Sequence, residues 1–267
     1  MNIYINEEEK KVEEGLSVFQ LRDRAKKDAD IVILNGFIMK EDHLLKEGDR
    51  ITLIQRGEIP SQEELEKLLV ARHTPGVHEK MKKAAVGIAG LGGLGSNVAI
   101  SLTRMGIGKL LLVDFDVVEP SNLNRQQYFV KHIGMPKTEA LKDLLLQINP
   151  FVTVETKNMY LEEENIEACF QDVDVIVEAF DNPKCKAELV NTVLKKMIQP
   201  IVAASGMAGY DSGNSIKTQR IHPRFYLVGD GESEAKPGWG LMAPRVAIAA
   251  NHQANTVVRI LLGKEND

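Results

Sequence analysis

Cysteine is scarce in this 267-residue chain, which contains two, Cys169 and Cys185. Two cysteines cannot form a disulfide framework and are too few for a structural Cys-rich zinc site, so we expect neither. The sequence lacks a long apolar run, and its first residues, MNIYINEEEKK, lack the basic and apolar regions of a signal peptide. We therefore expect a cytoplasmic protein without a membrane segment. It also lacks an excess of basic residues, and a formal net charge of -5 argues against a nucleic-acid-binding surface.

The composition that remains, 43% hydrophobic and 27% charged, is typical of a soluble globular chain, and its patterns change near Pro60. Residues 1–58 predict a small domain of order ββαββ, in which NIYI, the short segment around Val12, ADIVILNGFIM and DRITLIQRG are strands and LSVFQLRDRAKK is a helix. Residues 59–83 predict a linker helix region, with Ser61 as N-cap and Glu64 completing a capping box.

Residues 84–267 alternate apolar strands with amphipathic helices. The predicted helices span 93–105, 138–148, 162–170 and 184–197, and a last helix covers APRVAIAANHQANTVVRILL. Near-continuous apolar strands between such helices are typical of an α/β fold, here a Rossmann-like, mostly parallel sheet with helices on both faces. Ligands of such sheets bind at the carboxyl ends of the strands.

A glycine-rich loop follows the first of these strands. Gly90, Gly92 and Gly95 give the pattern G-x-G-x-x-G, and Asp114 ends the next strand. Glycines permit a tight strand-to-helix turn and let a phosphate approach the helix N-terminus, while the acidic residue is placed to accept a ribose hydroxyl. The pattern favours an adenosine nucleotide over a purely structural turn, but it does not identify a reaction.

Further segments carry a more specific resemblance. These are GLGGLGS, DFDVVEPSNLNRQ, KTEALKDLLLQINP and EAFDN, in this order from about residue 70 onwards. Together they resemble the ubiquitin-activating enzymes and their bacterial relatives ThiF and MoeB, which adenylate the C-terminal glycine of a ubiquitin-fold sulfur carrier. The resemblance implies ATP and Mg²⁺ as cofactors and a homodimer as the assembly.

The same resemblance implies roles for individual residues. It assigns nucleotide binding to Gly90, Gly92, Gly93, Gly95, Asp114, Asp116, Asn122 and Gln126. It assigns catalytic roles to Arg125, Lys137, Asp181 and Arg72. Asp114 would hold the ribose and Asp116 would support the loop beside it. Asn122, Arg125 and Gln126 would face the phosphates, with Lys137 as a second cation.

Asp181 would bind magnesium, and Arg72 would act across the dimer interface. Each of these residues also has a structural interpretation. Arg125 and Lys137 could be solvated surface charges, Asp116 could order its own turn, and Asp181 could cap the helix that begins at Pro183.

The sequence also departs from the family pattern. It has no C-x-x-C pair, and residues 212–239, where many relatives carry a cysteine that joins the carrier, contain none. A free cysteine is usually a small buried hydrophobe, so we expect no catalytic role for Cys185 or Cys169. The resemblance then implies an adenylyltransferase without zinc that leaves sulfur delivery to other proteins.

The first domain resembles the sulfur carrier ThiS, a β-grasp protein, through MNIYINEEEKKVEEG, ILNGFIM and LKEGDRITLIQRG. A working carrier ends in a free Gly-Gly carboxylate, whereas this segment continues as RGEIPSQEE. It is a fused relic that docks or stabilises the enzyme, a carrier mimic for partner recognition, or a β-grasp domain unrelated to carriers.

Two hypotheses of different classes follow. The first is ATP-dependent adenylylation of a ThiS-like carrier in thiamine biosynthesis. The second is a non-catalytic scaffold or regulator. Adenylation for a molybdopterin or other sulfur pathway, of a small carboxylate, or of RNA remains an alternative, since fold does not fix the substrate.

Overall fold

The computed structural model describes residues 1–70, 74 and 76–264. The chain divides into two compact units, Met1–Pro75 and Gly76–Asp267. Among the described residues, no helix is both long and apolar enough to cross a membrane.

The first unit is a five-stranded sheet with two helices. Its elements are β1 (Asn2–Ile5), β2 (Glu8–Lys11), α1 (Val18–Ala25), β3 (Ile31–Leu34), β4 (Phe37–Ile38), β5 (Arg50–Ile54) and α2 (Gln62–Val70). The strand order is β2-β1-β5-β3-β4, and β1 and β5 run parallel at its centre. Ile3, Val18 and Ile51 are fully or almost fully buried between sheet and α1.

Two local predictions in this unit need correction. The segment ADIVILNGFIM is a hairpin of β3 and β4, because Asn35 and Gly36 both adopt positive φ, at 50° and 89°. The capping box of α2 is half formed. The Ser61 hydroxyl accepts from the Glu64 amide at 3.2 Å, but the Glu64 carboxylate accepts from the Asn6 side chain at 3.0 Å. The expected linker helix α2 thus contacts the turn between β1 and β2 of its own unit through Glu64.

The second unit is a seven-stranded sheet between helices. Its elements are α3 (Val77–Met81), β6 (Ala85–Ala89), α4 (Gly93–Arg104), β7 (Lys109–Asp114), α5 (Lys137–Ile148), β8 (Thr153–Asn158), α6 (Glu163–Phe170), β9 (Val175–Glu178), α7 (Pro183–Lys196), β10 (Ile201–Ala204), β11 (Lys217–His222), β12 (Phe225–Gly229) and α8 (Ala243–Leu262). The strand order is β11-β12-β10-β9-β6-β7-β8, and β11 alone among these strands is antiparallel to its neighbour.

Helices cover both faces of this sheet. One apolar core lies against α4, α5 and α8, with Leu102, Leu141 and Val257 fully buried. A second lies against α6 and α7 and includes Phe170 and Leu189. The predicted α/β class with a mostly parallel sheet is confirmed. After β6 the chain adds β7 and β8 on one side and β9 and β10 on the other, so the topology reverses beside β6, where such sheets bind ligands.

Candidate active site

A cavity of about 560 Å³ lies at the carboxyl ends of β6, β7, β9 and β10. This volume is within the range of small-molecule sites. The predicted site residues that line the cavity are Gly90, Gly92, Gly93, Asp114, Asp116, Arg125, Gln126, Lys137 and Asp181. Gly95 and Asn122 do not line it. Arg72 lies outside the described residues.

The glycine loop joins β6 to α4 with close backbone approaches. Gly90 has φ +89°, and a Cβ there would lie 2.8 Å from the Ala179 carbonyl oxygen. A Cβ at Gly95, inside the first turn of α4, would lie 1.9 Å from the Gly90 carbonyl oxygen. These two positions therefore require glycine, and the N-terminus of α4 faces the cavity through Gly92 and Gly93.

Asp114 ties the loop to the end of β7. Its two carboxylate oxygens accept from the amides of Leu91 at 2.6 Å and Asp116 at 2.8 Å. Burial raises the pKa of Asp114, and these amides and the nearby Lys137 counteract that rise. Tyr128 also supports the loop, donating its hydroxyl to the Leu91 carbonyl at 2.8 Å, and burial raises the pKa of Tyr128. A contact of Asp114 with a ribose remains a prediction.

Lys137 and Asp116 form a pair on the cavity wall. The ammonium lies 2.8 Å from the Asp116 carboxylate, and the Lys137 amide donates to the Asp116 carbonyl at 2.9 Å. The Lys137 side chain is 8% exposed, so it is not the solvated surface charge that the sequence also allowed. An ammonium has three donors, so Lys137 can hold Asp116 and still bind an anion.

Arg125 and Gln126 follow a 3₁₀ turn at Pro120–Asn124. The Arg125 guanidinium donates to the Asn124 side chain at 2.8 Å and the Ser121 carbonyl at 3.3 Å. It has no carboxylate partner within the described part of the chain. Its Nε and the Gln126 Oε1 are buried without a hydrogen-bond partner among the residues that the structure describes. Unpaired buried polar atoms beside a cavity are what a polar ligand would satisfy.

Asn122 has a different place from the one predicted. It is 8% exposed, and its side-chain oxygen accepts from the Glu119 amide at 3.1 Å. The residue thereby caps the 3₁₀ turn. It does not line the cavity, because its amide oxygen is directed to that turn.

Asp181 lies in the turn between β9 and α7. Its side chain is exposed, lines the cavity and makes no hydrogen bond or ion pair with described residues. The N-cap of α7 is Asn182, whose side-chain oxygen accepts from the amides of Lys184 at 2.9 Å and Cys185 at 3.4 Å. The interpretation of Asp181 as the helix cap is therefore wrong.

The carboxylate of Asp181 fits a magnesium ion bound together with a nucleotide. Magnesium usually takes one or two carboxylates, several waters and substrate phosphates rather than an all-protein cage. Among the described residues, no group of three or more His, Cys, Asp or Glu side chains could hold a metal ion. The glycine cradle, the unpaired Arg125 Nε and the lone carboxylate fit ATP with such an ion.

Comparison with protein families decides the affiliation. The profile of the ThiF family matches residues 66–267, and that of the ThiS-like ubiquitin family matches residues 1–57. The chain belongs to the ThiF family. The resemblance predicted from the motifs is confirmed, including the fused ThiS-like domain.

The relatives that match this chain are named for different activities. The chain is 28% identical over 249 residues to the adenylyltransferase and sulfurtransferase UBA4 of Candida glabrata, covering 90% of this chain and 57% of the relative. It is 39% identical over 112 residues to the molybdopterin-synthase adenylyltransferase of Haemophilus influenzae, covering 42% of this chain and 46% of that one. It is 36% identical over 132 residues to the tRNA threonylcarbamoyladenosine dehydratase of Bacillus subtilis, covering 49% and 52%.

The chain thus spans about half the length of these curated relatives. Among solved structures, the E. coli tRNA N6-threonylcarbamoyladenosine dehydratase TcdA, in complex with ATP, superposes with a TM-score of 0.67. That match has 21% sequence identity and covers 73% of this chain and 93% of that one, so it shows a shared fold.

Two buried charged residues of this ThiF family protein, Glu178 and Arg245, were not identified from the sequence. Glu178, the last residue of β9, is fully buried against the Lys186 ammonium, which lines the cavity. Arg245, 3% exposed at the start of α8, donates to the Ser212 carbonyl at 3.0 Å and pairs with Asp230. A charged residue in the apolar run VDVIVEAF was the available signal for Glu178, whereas nothing in the sequence indicates the partners of Arg245.

The two cysteines differ in environment. Cys169 is buried, and burial raises the pKa of its thiol. Cys185 is half-buried on the cavity wall, with its sulfur 3.0 Å from the Tyr160 hydroxyl. The wall next to this pair is apolar, and Phe115 packs edge-on against Tyr160 with ring centroids 5.1 Å apart. An apolar wall beside the polar side chains that are expected to face phosphates suits the base of a nucleotide.

Proposed function

We propose that this protein is an ATP-dependent adenylyltransferase that activates the C-terminal glycine carboxylate of a ubiquitin-like sulfur carrier and releases pyrophosphate. One observation carries the proposal: a single cavity combines the glycine loop, the cations Arg125 and Lys137, and the carboxylate of Asp181, which makes no hydrogen bond or ion pair with described residues. The activity names of the ThiF family relatives support the same reaction class.

The reaction places a carboxylate against an anionic centre. A carboxylate oxygen of the carrier attacks the α-phosphorus, a new O–P bond forms, and the bond from the α-phosphorus to the bridging oxygen breaks. Pyrophosphate leaves with that electron pair. An ionised carboxylate needs no general base, so the protein contributes positioning and charge neutralisation.

Different side chains supply the positioning and the charge neutralisation. Arg125 reaches the cavity with its charge uncompensated, since both its acceptors are neutral, and can hold phosphate oxygens through two parallel hydrogen bonds. Lys137 supplies a second cation and Asp116 orients it. Asp181 would hold magnesium, which would supply Lewis-acid stabilisation of the phosphate charge.

We further propose that the carrier is ThiS-like and that the reaction belongs to thiamine biosynthesis, in a cytoplasmic homodimer. The ThiS-like family match of residues 1–57 supports this choice of carrier. The fused unit cannot itself be the substrate in the intact chain, because its backbone continues into α2 and offers no free carboxylate. The names of the relatives make a molybdopterin-type carrier the alternative.

A second candidate is the activation of a carboxylate attached to tRNA, favoured by the 36% identity to the Bacillus subtilis dehydratase. The net charge of -5 weighs against it, because binding to a polyanion generally relies on a basic surface.

ATP–pyrophosphate exchange tests these assignments. The intact protein is assayed with a ThiS-like carrier, a molybdopterin-type carrier and threonylcarbamoylated tRNA, each at equal concentration. We expect exchange with the ThiS-like carrier and none with the same carrier lacking its terminal glycine. Exchange with another substrate alone would reassign the pathway. No exchange, with ATP still bound, would favour the scaffold hypothesis.

Calorimetry tests the nucleotide itself. We expect magnesium-dependent ATP binding and much weaker NAD binding, because the cations after Asp114 suit a triphosphate. Tight NAD binding that does not depend on metal would contradict the proposed function.

A further inference from the structure

A buried ion pair lies at the end of β9, beside the cavity. The Lys186 ammonium is 2.8 and 2.6 Å from the two carboxylate oxygens of Glu178. Glu178 has no exposed surface, and the Lys186 side chain is 22% exposed and lines the cavity. A fully buried carboxylate is costly without a partner, so Lys186 compensates the charge of Glu178.

Glu178 also holds the turn that carries Asp181. Its Oε1 accepts from the Phe180 amide at 2.8 Å. On the other side of Asp181, the Asn182 side chain accepts from the first amides of α7. The backbone of Asp181 therefore lies between two fixed points, while its own carboxylate makes no hydrogen bond or ion pair with described residues.

The main chain at Glu178 is anchored as well. The Gln253 side chain of α8 donates to the Glu178 carbonyl at 2.9 Å and to the Val202 carbonyl at 3.1 Å. Glu178 thus connects a rigid strand to the turn, and Lys186 connects the carboxylate to the first turns of α7. A carboxylate that serves a bound cation must be held in place by such supporting contacts.

We propose that the Glu178–Lys186 pair is a positioning device for Asp181: Glu178 anchors the Phe180 amide, Lys186 holds Glu178 there, and together they fix where the Asp181 carboxylate meets Mg²⁺–ATP. This inference rests on the proposed function, since it assigns the pair to the same site. Neither residue touches the nucleotide in this role. Their loss should weaken the use of magnesium rather than abolish folding.

Two double variants separate the hydrogen bond from the charge. Glu178→Gln/Lys186→Met removes both charges and keeps an acceptor for the Phe180 amide. Glu178→Leu/Lys186→Met removes both charges and the acceptor. The measurement is calorimetric ATP binding over a range of Mg²⁺ concentrations, which gives the half-saturating Mg²⁺ concentration. Steady-state pyrophosphate exchange at saturating Mg²⁺ then gives kcat and KM.

We expect the half-saturating Mg²⁺ concentration of the Gln/Met variant to stay within about threefold of wild type. In the Leu/Met variant the half-saturating Mg²⁺ concentration should rise about tenfold. We expect kcat to decrease and the KM for the carrier to change less, because a misplaced group costs mainly in the transition state. Equal Mg²⁺ dependence in the two folded variants would overturn the proposal. A lower melting temperature of the Leu/Met variant with unchanged Mg²⁺ dependence would overturn it too.

Single variants provide the answer if the Leu/Met protein does not fold. Lys186→Met should raise the half-saturating Mg²⁺ concentration about tenfold and Lys186→Arg should restore it, because a guanidinium also holds a carboxylate. If Lys186→Met has wild-type Mg²⁺ dependence, the inference is wrong. The matched control is Glu163→Gln/Lys196→Met, which removes an exposed ion pair involving the far end of α7 and should change nothing.

Asp181→Asn separates the metal site itself from the ion pair that positions it. If it leaves Mg²⁺ dependence unchanged, the metal site of the proposed function fails and the inference fails with it. If it raises the half-saturating Mg²⁺ concentration while the Glu178 and Lys186 variants do not, the inference alone fails.

Discussion

Neutral acceptors hold Arg125, and this determines how much of its charge remains available. The Asn124 side chain and the Ser121 carbonyl fix the guanidinium without cancelling its charge. The Asp116 carboxylate, by contrast, pairs with the Lys137 ammonium and partly compensates its positive charge. Of these two cations, Arg125 thus presents the less compensated charge to an anion. Preorganised donors that await a developing negative charge make large contributions to catalysis.

Arg125→Ala should lower the rate of pyrophosphate exchange on the order of a hundredfold, as does the loss of one preorganised oxyanion donor. It should change the free energy of unfolding by within about 0.5 kcal/mol, because the side chain has no ion-pair partner in the described part of the chain to lose. Arg125→Lys should recover little, since an ammonium cannot reproduce the two-pronged contact.

The control for this experiment is Arg104→Ala, which removes an exposed arginine from the last turn of α4. Near-normal exchange in Arg125→Ala, at an unchanged melting temperature, would mean that SNLNRQ is a loop without a catalytic role.

Asp230 holds the segment before α8 through a dense set of contacts. Its Oδ1 accepts from the amides of Glu232 at 2.9 Å and Ser233 at 2.8 Å, and its other oxygen pairs with Arg245. Burial alone would raise the pKa of Asp230, but these hydrogen bonds lower it to about 2 from an ordinary 3.8.

A carboxyl group whose pKa is lower in the folded state stabilises the fold above its unfolded-state pKa, and this contribution disappears as the pH falls through the folded-state pKa. Asp230→Asn should therefore cost on the order of 1–2 kcal/mol at pH 7. The difference from wild type should shrink between about pH 4 and pH 2, where Asp230 itself becomes protonated. Urea unfolding across this range measures it. A difference that does not depend on pH would exclude the ionised pair as its origin.

The turn from β6 into α4 depends on its glycines to different degrees. A Cβ at Gly95 would lie 1.9 Å from the Gly90 carbonyl oxygen, whereas a Cβ at Gly92 would meet the Gln126 side chain at 3.7 Å, an ordinary contact. The same motif, in which Gly90 is restricted as well, therefore contains positions where a methyl group must displace backbone and one where it fits.

Gly95→Ala should destabilise the second unit by about 3 kcal/mol or more, because neither the turn nor the helix can move without losing packing. Gly92→Ala should change the free energy of unfolding by within about 1 kcal/mol and serves as the matched control. Thermal melting of both variants provides the comparison. Similar melting temperatures would show that the loop relaxes around the added methyl group.

Sequence predicts those elements best whose signals are local. The helix predicted at 93–105 is Gly93–Arg104, because the glycine motif defines its start, and the helix predicted at 184–197 is Pro183–Lys196. The segment of β3 and β4 was predicted as one strand although Asn35-Gly36, a typical two-residue hairpin turn, interrupts its apolar pattern. The alternative interpretation of Asp181 as the cap of α7 is wrong, because its neighbour Asn182 caps that helix.

The predicted site residues that line the cavity come together because they end or follow β6, β7 and β9, which are adjacent parallel strands. The sequence could not show that Glu178 meets Lys186 or that Asp230 meets Arg245. Such pairs depend on the path of the chain in three dimensions, and charge spacing along the sequence does not encode it.

At the scale of the whole molecule, one chain or two could contribute residues to the proposed active site. In the proposed reaction, the described residues of one chain that neutralise phosphate charge are Arg125 and Lys137, and Lys137 is partly engaged by Asp116. The triphosphate, the attacking carboxylate and the carboxylates of Asp116 and Asp181 together carry more negative charge than Arg125, Lys137 and one Mg²⁺ balance, so a further cation is expected. The family resemblance assigns that cation to Arg72 of a second copy, in a symmetric dimer with two equivalent sites.

Complementation between two inactive variants tests this assembly. Arg72→Ala and Asp181→Asn should each lose most pyrophosphate exchange as homodimers. After the two are mixed in equal amounts and exchange subunits, exchange should return to about a quarter of wild type, because half of the dimers are mixed and each has one intact site. If Arg72 acts within its own chain, the mixture stays inactive. Mixing Arg72→Ala with the double variant Arg72→Ala/Asp181→Asn is the control, and it should restore nothing, since no dimer in it offers Arg72 to an intact site. Sedimentation of the wild-type protein as a monomer at assay concentration would contradict the shared site independently of either variant.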